Sequence, residues 1–336
     1  MNRYDRQARV SKIGPAGQAK IAAAHIVIVG LGALGSYAAE ELVRAGVGEL
    51  TLVDPDTLSF TNLQRQTMYT EADVNAKKLK VEAAKEHLLA INSQVKLHLY
   101  PAPLSEDVLA ANQFDLLLDC LDNYTSRDLI NHLAIKNHFN YLFASCAGTF
   151  GSVMAVKPDS HHPCLRCLYP NIEQLKQTDC DLIGVTTPLV PLVASLQVAL
   201  AMKLLIAPNQ VDYDHLITLD SWSMQFQKFK IQVNDHCLAC QKRQVPTAKP
   251  FQSQVHVLCG TNTYSLNLQA KLDLAKLANQ LANYQIKAKP GFHFIGLEWH
   301  NYKVSIFENG RLLLYGASSL AEATAELTAL QEITIK

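Results

Sequence analysis

Three groups of residues in this chain have types and spacing suited to chemistry: Gly30-Leu31-Gly32-Ala33-Leu34-Gly35, then Asp54, then Asn62-Leu63-Gln64-Arg65-Gln66. Glycines at this spacing let a strand-to-helix turn approach phosphates closely and seat the helix against the strand. Asp54 ends an apolar run, Leu50-Thr51-Leu52-Val53, at the place where a carboxylate meets ribose hydroxyls. Asn62, Gln64 and Arg65, followed by Lys77, Lys78 and Lys80, gather amides and cations. Hydride transfer has little use for so many cations, whereas a triphosphate and a leaving pyrophosphate need them. Asp119-Cys120-Leu121-Asp122-Asn123 ends another apolar run. A carboxylate there could hold Mg2+ through one or two oxygens, and Asp122 or Asn123 could equally cap the following helix; both readings can hold together.

The chain has eight cysteines. Cys164-Leu165-Arg166-Cys167 and Cys237-Leu238-Ala239-Cys240 are two pairs at zinc-ligand spacing. Four thiolates around Zn2+ leave no open coordination position, so the expected role is structural. Cys120 and Cys259 lie in apolar runs and read as core residues, and Cys146 stands at a strand end. Cys180, in the polar stretch Thr178-Asp179-Cys180-Asp181, is an accessible thiol, although its two flanking carboxylates disfavour a standing thiolate.

These residues need a frame to position them. Residues 26–29, 50–53, 95–99, 116–119 and 141–144 read as buried strands, alternating with helical patterns at 34–46, 75–91 and 126–138. That rhythm predicts an α/β fold: a Rossmann-like, mostly parallel sheet with helices on both faces. Ligands in such sheets sit at the carboxyl ends of the strands, where Gly30, Asp54 and Asp122 all fall. Residues 152–156, 216–219 and 226–233 read as an antiparallel extension of the sheet. The uncharged stretch from Leu182 to Met202 is long enough to raise a membrane span, but Pro188, Pro191, Thr186, Thr187 and Gln197 favour a buried helix beginning near Pro188. After the linker-like residues 245–250, the tail reads as a small C-terminal α+β domain. Strands are expected at 255–259 and 264–268 around Gly260-Thr261-Asn262, and at 292–306 and 312–315 around Asn309-Gly310, with helices at 271–281 and 320–330. The expected division is a domain of residues 1–245, carrying the nucleotide and zinc sites, and a domain of residues 253–336.

Taken together, these stretches resemble the ThiF/MoeB/HesA adenylyltransferases, bacterial relatives of ubiquitin-activating enzymes. The resemblance runs from residue 3 to about 241. It rests on Arg3-Tyr4-Asp5-Arg6-Gln7, Gly30 to Gly35, residues 44–48, Leu52-Val53-Asp54, Asn62 to Gln66, Asp119 to Asn123 with Arg127, both cysteine pairs and Cys180. The resemblance implies an enzyme that uses ATP and Mg2+ to adenylylate the C-terminal Gly-Gly of a ubiquitin-like sulfur carrier of the ThiS or MoaD type. It implies that Gly30, Gly32 and Gly35 cradle the nucleotide, Asp54 holds the ribose, Asn62, Gln64 and Arg65 face the phosphates, and Asp122 beside Asn123 holds Mg2+. Arg6 would reach the triphosphate of a partner subunit, so a homodimer is implied. Counting from Arg65 favours Lys78 as the phosphate-binding lysine, and counting back from Ile91-Asn92 favours Lys80, which is chosen here. Cys180 would take the activated carrier or assist transfer from a sulfur donor such as a cysteine desulfurase. The tail resembles the extra C-terminal domain of some bacterial members.

Composition sets limits on partners. Thirty Lys and Arg balance thirty Asp and Glu among 336 residues, so the charge that drives unspecific nucleic-acid binding is not visible. The polar N-terminus lacks the apolar core of a signal peptide, and a cytoplasmic protein with neither nucleic-acid nor membrane partners is expected. A nicotinamide-dependent dehydrogenase would share the glycine loop and Asp54, but would leave Arg65, Asn62 and the cysteine pairs unexplained. A tRNA-modifying dehydratase of the same superfamily fits the balanced charge poorly. A non-catalytic, zinc-stabilised scaffold for a ubiquitin-like partner is the reading without chemistry.

Overall fold

The computed structural model describes residues 3–176, 184–243, 255–257, 263–268, 272–284, 286–290, 294–307 and 310–334. The chain divides into two compact units, one of residues 1–172 and 179–246 and one of residues 173–178 and 247–336.

In the larger unit, helices α1 (Asp5–Ala8) and α2 (Gly14–Ala23) precede a repeating strand-helix pattern. Strands β1 (His25–Val29), β2 (Glu49–Val53), β3 (Lys96–Tyr100), β4 (Leu116–Asp119) and β5 (Tyr141–Ala147) alternate with α3 (Ala33–Ala45), α4 (Glu71–Asn75), α5 (Lys80–Ile91), α6 (Glu106–Ala110) and α7 (Tyr124–Asn137). The chain continues through β6 (Phe150–Val156), α8 (Leu165–Leu168), α9 (Ile172–Leu175), of which only Ile172 belongs to this unit, and then α10 (Leu189–Ile206), β7 (His215–Asp220) and β8 (Gln225–Lys230). The eight strands lie in the order β3-β2-β1-β4-β5-β6-β7-β8. Pairing is parallel from β3 through to β5 and antiparallel from β5 to β8, the expected extension.

Period-two alternation explains why both faces must be covered. Along β1, Ile26 and Ile28 enter one core with Leu34, Ala38, Leu42 and Leu88 of α3 and α5. Val27 and Val29 enter the opposite core with Ile130, Leu133 and Ala134 of α7. Helix α10 belongs to the first core. It is the one helix among the described residues long and apolar enough to cross a membrane. Leu189, Val193, Ala194 and Val198 are nevertheless buried in that core, and Pro188 stands at the helix start as expected.

The helix expected over 75–91 is two helices. Thr70 and Asp73 form a reciprocal cap that starts α4. The chain then turns through Lys77, whose φ of 52° is left-handed. The backbone of Lys78, Leu79 and Lys80 pairs with Asp56 to Leu58 before α5 begins. These long-range bonds override a helical periodicity that is continuous in sequence.

The smaller unit has a six-stranded antiparallel sheet in the order β11-β12-β13-β14-β10-β9. Its strands are β9 (His256–Val257), β10 (Thr263–Asn267), β11 (Ala288–Pro290), β12 (Phe294–Trp299), β13 (Tyr302–Phe307) and β14 (Arg311–Tyr315), with α11 (Leu274–Asn283) and α12 (Leu320–Thr334). Alternate residues such as Ile295, Leu297, Val304 and Ile306 pack with Leu277, Leu281, Leu327 and Leu330 of the helices. The expected 292–306 segment is a hairpin of two strands, with Trp299 paired to Tyr302. The turns expected at Gly260-Thr261-Asn262 and at Asn309 lie outside the described residues, as does Cys259.

Candidate nucleotide site and four-cysteine cluster

A cavity of about 810 Å³ opens at the carboxyl ends of β1, β2, β4 and β5. It brings together Gly30, Gly32, Asp54, Asn62, Gln64, Arg65, Lys80, Asp122 and Asn123 from distant parts of the sequence. The glycines differ in purpose. Gly30 has a φ of +89°, and a Cβ there would lie 2.8 Å from the Cys120 carbonyl oxygen. Only glycine fits that turn. Gly35 does not line the cavity but seats α3 on β1, since its Cβ would meet the Gly30 carbonyl oxygen at 1.9 Å. Gly32 begins α3 with no side chain capping the helix, and a Cβ there would meet nothing closer than Gln66 Nε2 at 3.5 Å. The N-terminal amides of this 13-residue helix therefore face the cavity without a side-chain acceptor, a favourable place for an anion.

Asp54 is 4% exposed and held by backbone: Oδ2 accepts from Leu31 N at 2.7 Å and Oδ1 from Asp56 N at 2.9 Å. Two of a carboxylate's four lone-pair positions remain for ribose hydroxyls. Burial pushes the Asp54 carboxyl above its ordinary range, and the Lys80 ammonium at 3.8 Å opposes that shift. Lys80 also donates to Asp56 at 2.7 Å and points into the cavity. Lys78, by contrast, is tied to Asp73 at 3.0 Å and Glu86 at 2.5 Å and does not line the cavity. Of the two lysines, Lys80 is the one at the cavity.

The Asn62–Gln66 segment is shaped by its own polar groups. Asn62 Oδ1 accepts from Ser59 N at 3.0 Å, and Arg65 donates to the Thr61 carbonyl at 2.9 Å. Gln64 donates to Thr187 Oγ1 at 2.5 Å, fastening the segment to residues 184–187, of which Gly184 and Val185 also line the cavity. Opposite, Asn123 Oδ1 caps α7 by accepting from Ser126 N at 2.9 Å, so the helix-cap reading holds for Asn123. Asp122 presents its carboxylate at the cavity wall, where Asn123 Nδ2 donates to it at 3.3 Å. Its remaining oxygen positions fit the one or two carboxylates that a nucleotide-bound Mg2+ takes from protein.

Gln66 and Arg127, absent from the expected site residues, also line this cavity. Gln66 is 3% exposed, and its Oε1 has no hydrogen-bond partner among the described residues. Arg127, 2% exposed, lays its guanidinium 4.8 Å from the Phe143 ring centre and donates to the Leu121 carbonyl. It also faces the fully buried Asp119, whose carboxyl is pushed up to about 6 by burial against the pull of Arg127. Their burial is the signal, and it exists only in the folded chain.

The N-terminal motif separates into anchors and one projecting residue. Arg3 donates to the Ile91 carbonyl at 3.0 Å, and Gln7 to Gln18 at 2.7 Å and the Ala45 carbonyl at 2.9 Å. Tyr4 accepts from Asn92 at 3.2 Å and fills the place of a Cβ at Gly46, whose φ of +91° ends α3. Arg6 is exposed on α1 and lies outside the cavity of its own chain. Cys146 lines the cavity, Cys120 is buried, and Cys180 lies outside the described residues.

Away from the cavity, Cys164, Cys167, Cys237 and Cys240 converge, each less than 9% exposed, with all four sulfurs within 4.8 Å of one another. Adjacent sulfurs are 3.6 to 4.0 Å apart. A tetrahedron with Zn–S bonds of about 2.3 Å has edges of about 3.8 Å, so the donor set fits Zn2+ and is far too open for disulfides.

Residues 4–240 match the ThiF family, and the chain belongs to that family. It is 35% identical over 334 residues to a sulfur carrier protein ThiS adenylyltransferase of Bacillus subtilis, covering 96% of each chain. It is 34% identical over 242 residues to the molybdopterin-synthase adenylyltransferase of Salmonella typhimurium, covering 71% of this chain and 96% of that one. Among solved structures, Escherichia coli MccB with ATP superposes with a TM-score of 0.60 at 22% identity, covering 71% of this chain and 74% of that one. The ThiF-family core is accompanied here by an additional C-terminal unit.

Proposed function

We propose that this chain transfers AMP from ATP to the C-terminal carboxylate of a ubiquitin-like sulfur carrier ending in Gly-Gly. One observation carries the reading: a single cavity joins the glycine-loop and Asp54 cradle to the cations of Arg65 and Lys80 and to the Asp122 carboxylate. Neither a dehydrogenase nor a scaffold accounts for that set. The likeness to the Bacillus subtilis ThiS adenylyltransferase extends over both units and favours a ThiS-type carrier, and with it thiazole synthesis, over a MoaD-type carrier.

The chemistry follows from the charges. A carrier carboxylate oxygen attacks the α-phosphorus, the bond from that phosphorus to the bridging oxygen breaks, and pyrophosphate leaves with its electron pair. Both reactants are anionic, so the site must neutralise charge and align the attack. Asp54 holds the ribose, the α3 N-terminus and Gly32 receive the phosphates, and Asn62, Gln64, Arg65 and Lys80 face the developing charge. Asp122 would hold Mg2+, which when bound would offset phosphate charge. No protein nucleophile is needed in this step. The Cys180 thiol then attacks the carrier's acyl-adenylate, giving up its proton and releasing AMP as the thioester forms, or assists a sulfur donor such as a cysteine desulfurase.

Two surface features support the partners. Phe150, Trp222, Met224 and Phe226 are 60% to 83% exposed on the β6 and β7–β8 ends. Ser221 in the same hairpin bonds Thr149 and approaches Thr186, next to the cavity-lining Gly184 and Val185. An apolar patch beside a site mouth suits a protein substrate whose tail enters the cavity. Arg6 on exposed α1, with Val10 and Leu192 also exposed, supports a homodimer in which Arg6 serves the second subunit's cavity. The four cysteines would hold a structural Zn2+, which when bound would tie the loop after β6 to the turn after β8.

The test is Mg2+-dependent ATP–pyrophosphate exchange with ThiS-type and MoaD-type carriers. Exchange with the ThiS type alone is the expected result. Exchange with the MoaD type alone would overturn the pathway, and none with either would overturn the reaction.

A further inference from the structure

The most apolar helix of the larger unit buries one carboxamide. Gln197, in the middle of α10, has no exposed surface, and both ends of its amide are engaged. Its Nε2 donates to the Asp119 carbonyl at 3.0 Å and to the Leu142 carbonyl at 2.9 Å, and its Oε1 accepts from the Cys120 thiol at 3.3 Å. These three partners come from β4, from β5 and from the first residue of the loop that leaves β4. The parallel ladder between the two strands ends at Asp119 paired with Phe143, and the chain then turns through Cys120, Leu121 and Asp122 along the cavity wall. Gln197 therefore braces the point where β4 and β5 stop pairing and the Asp122 loop begins.

We propose that Gln197 is a positioning residue for the Cys120–Asn123 loop, fixing Asp122 where it supports Mg2+-dependent binding of ATP. The inference rests on the reading of Asp122 as the Mg2+ carboxylate. Leu, Met or Val at this position would complete the apolar helix at lower desolvation cost, so a merely space-filling role gives no reason for an amide. A purely structural role, satisfying two strand carbonyls, would affect folding but not the response to the cation.

Calorimetric titration of the zinc-loaded protein with ATP, once with Mg2+ and once with EDTA, separates the two. Gln197→Met keeps the volume and removes the hydrogen bonds. Gln197→Asn keeps the amide but shortens its reach, and serves if the first variant does not fold. Either variant is expected to lose about tenfold or more in ATP affinity with Mg2+, the scale of lost outer-shell support at metal sites, with little change in EDTA. Asp122→Asn is expected to show the same selective loss. Unchanged Mg2+ dependence in both Gln197 variants, beside a loss in Asp122→Asn, would overturn the proposal. Unchanged Mg2+ dependence in Asp122→Asn would overturn the assignment of Asp122 itself.

Discussion

Lys80→Met should destabilise the protein in a pH-dependent way because it leaves Asp54 buried without its neighbouring cation. The Lys80 and Asp54 side chains are 8% and 5% exposed and 3.8 Å apart. At an effective dielectric of about 20, that separation is worth about 4 kcal/mol of attraction. The variant has an escape, which is to keep Asp54 protonated. Relative to an unfolded carboxyl that ionises near 3.9, holding that proton costs about 1.5 kcal/mol at pH 5 and about 5.6 kcal/mol at pH 8. At pH 5 protonation is the cheaper route, so the part of the loss due to Asp54 should be at most about 1.5 kcal/mol; at pH 8 the lost attraction sets that part at about 4 kcal/mol, while the lost bond to Asp56 contributes equally at both. The sign follows from linkage. Burial raises the Asp54 carboxyl in the native state, and more so without Lys80, so the native state binds more protons than the unfolded chain. Stability contributed by that proton is present below the unfolded pKa and is lost as pH rises through the folded one. Urea unfolding of zinc-loaded wild type and variant at pH 5 and pH 8, at fixed protein concentration, measures both losses. Equal losses at the two pH values would refute the reasoning, as would persistence of the pH dependence when Lys80→Met is combined with Asp54→Asn.

Arg65→Ala and Asp122→Ala should each abolish carrier-dependent pyrophosphate exchange while leaving the circular dichroism spectrum unchanged, since both residues sit at the cavity wall; retained exchange in both would sink the site assignment. Cys164→Ala should lose zinc, read by metal analysis, and lower the melting temperature, because three buried thiolates cannot complete a closed tetrahedral site. Trp222→Asp or Phe226→Asp should raise the carrier concentration needed for half-maximal exchange about tenfold, the equivalent of 1.4 kcal/mol, without changing ATP affinity in calorimetry. Gly35→Ala should be insoluble or melt well below wild type, since its new methyl would sit 1.9 Å from the Gly30 carbonyl oxygen.

Much of the fold was legible because its signals are local. Ile26 to Val29 and Leu116 to Leu118 are apolar on both sides of the pleat, which marks central parallel strands, and helical periods between them leave few other topologies. The glycine loop and the paired cysteines carry meaning in their spacing. The choice between Lys78 and Lys80 was not local: both fit a count along the chain, and Asp73 and Glu86 occupy the first while the cavity takes the second. The break at Lys77 was likewise hidden, because the pairing of residues 78–80 with residues 56–58 comes from another part of the chain.

The sequence by itself determined the parallel sheet, the glycine turn, the pairing of the four cysteines by spacing and the family, since each rests on residue type at short, fixed intervals. Only the tertiary structure decided which polar side chains act together. Gln66 and Arg127 stand in the motifs with no sign in sequence that they are buried at the cavity, and Gln197 looks like a blemish in an apolar helix, until burial removes water as their partner. A buried polar group must then find its hydrogen bonds within the protein or at a ligand, and that demand arises only when distant segments close over it.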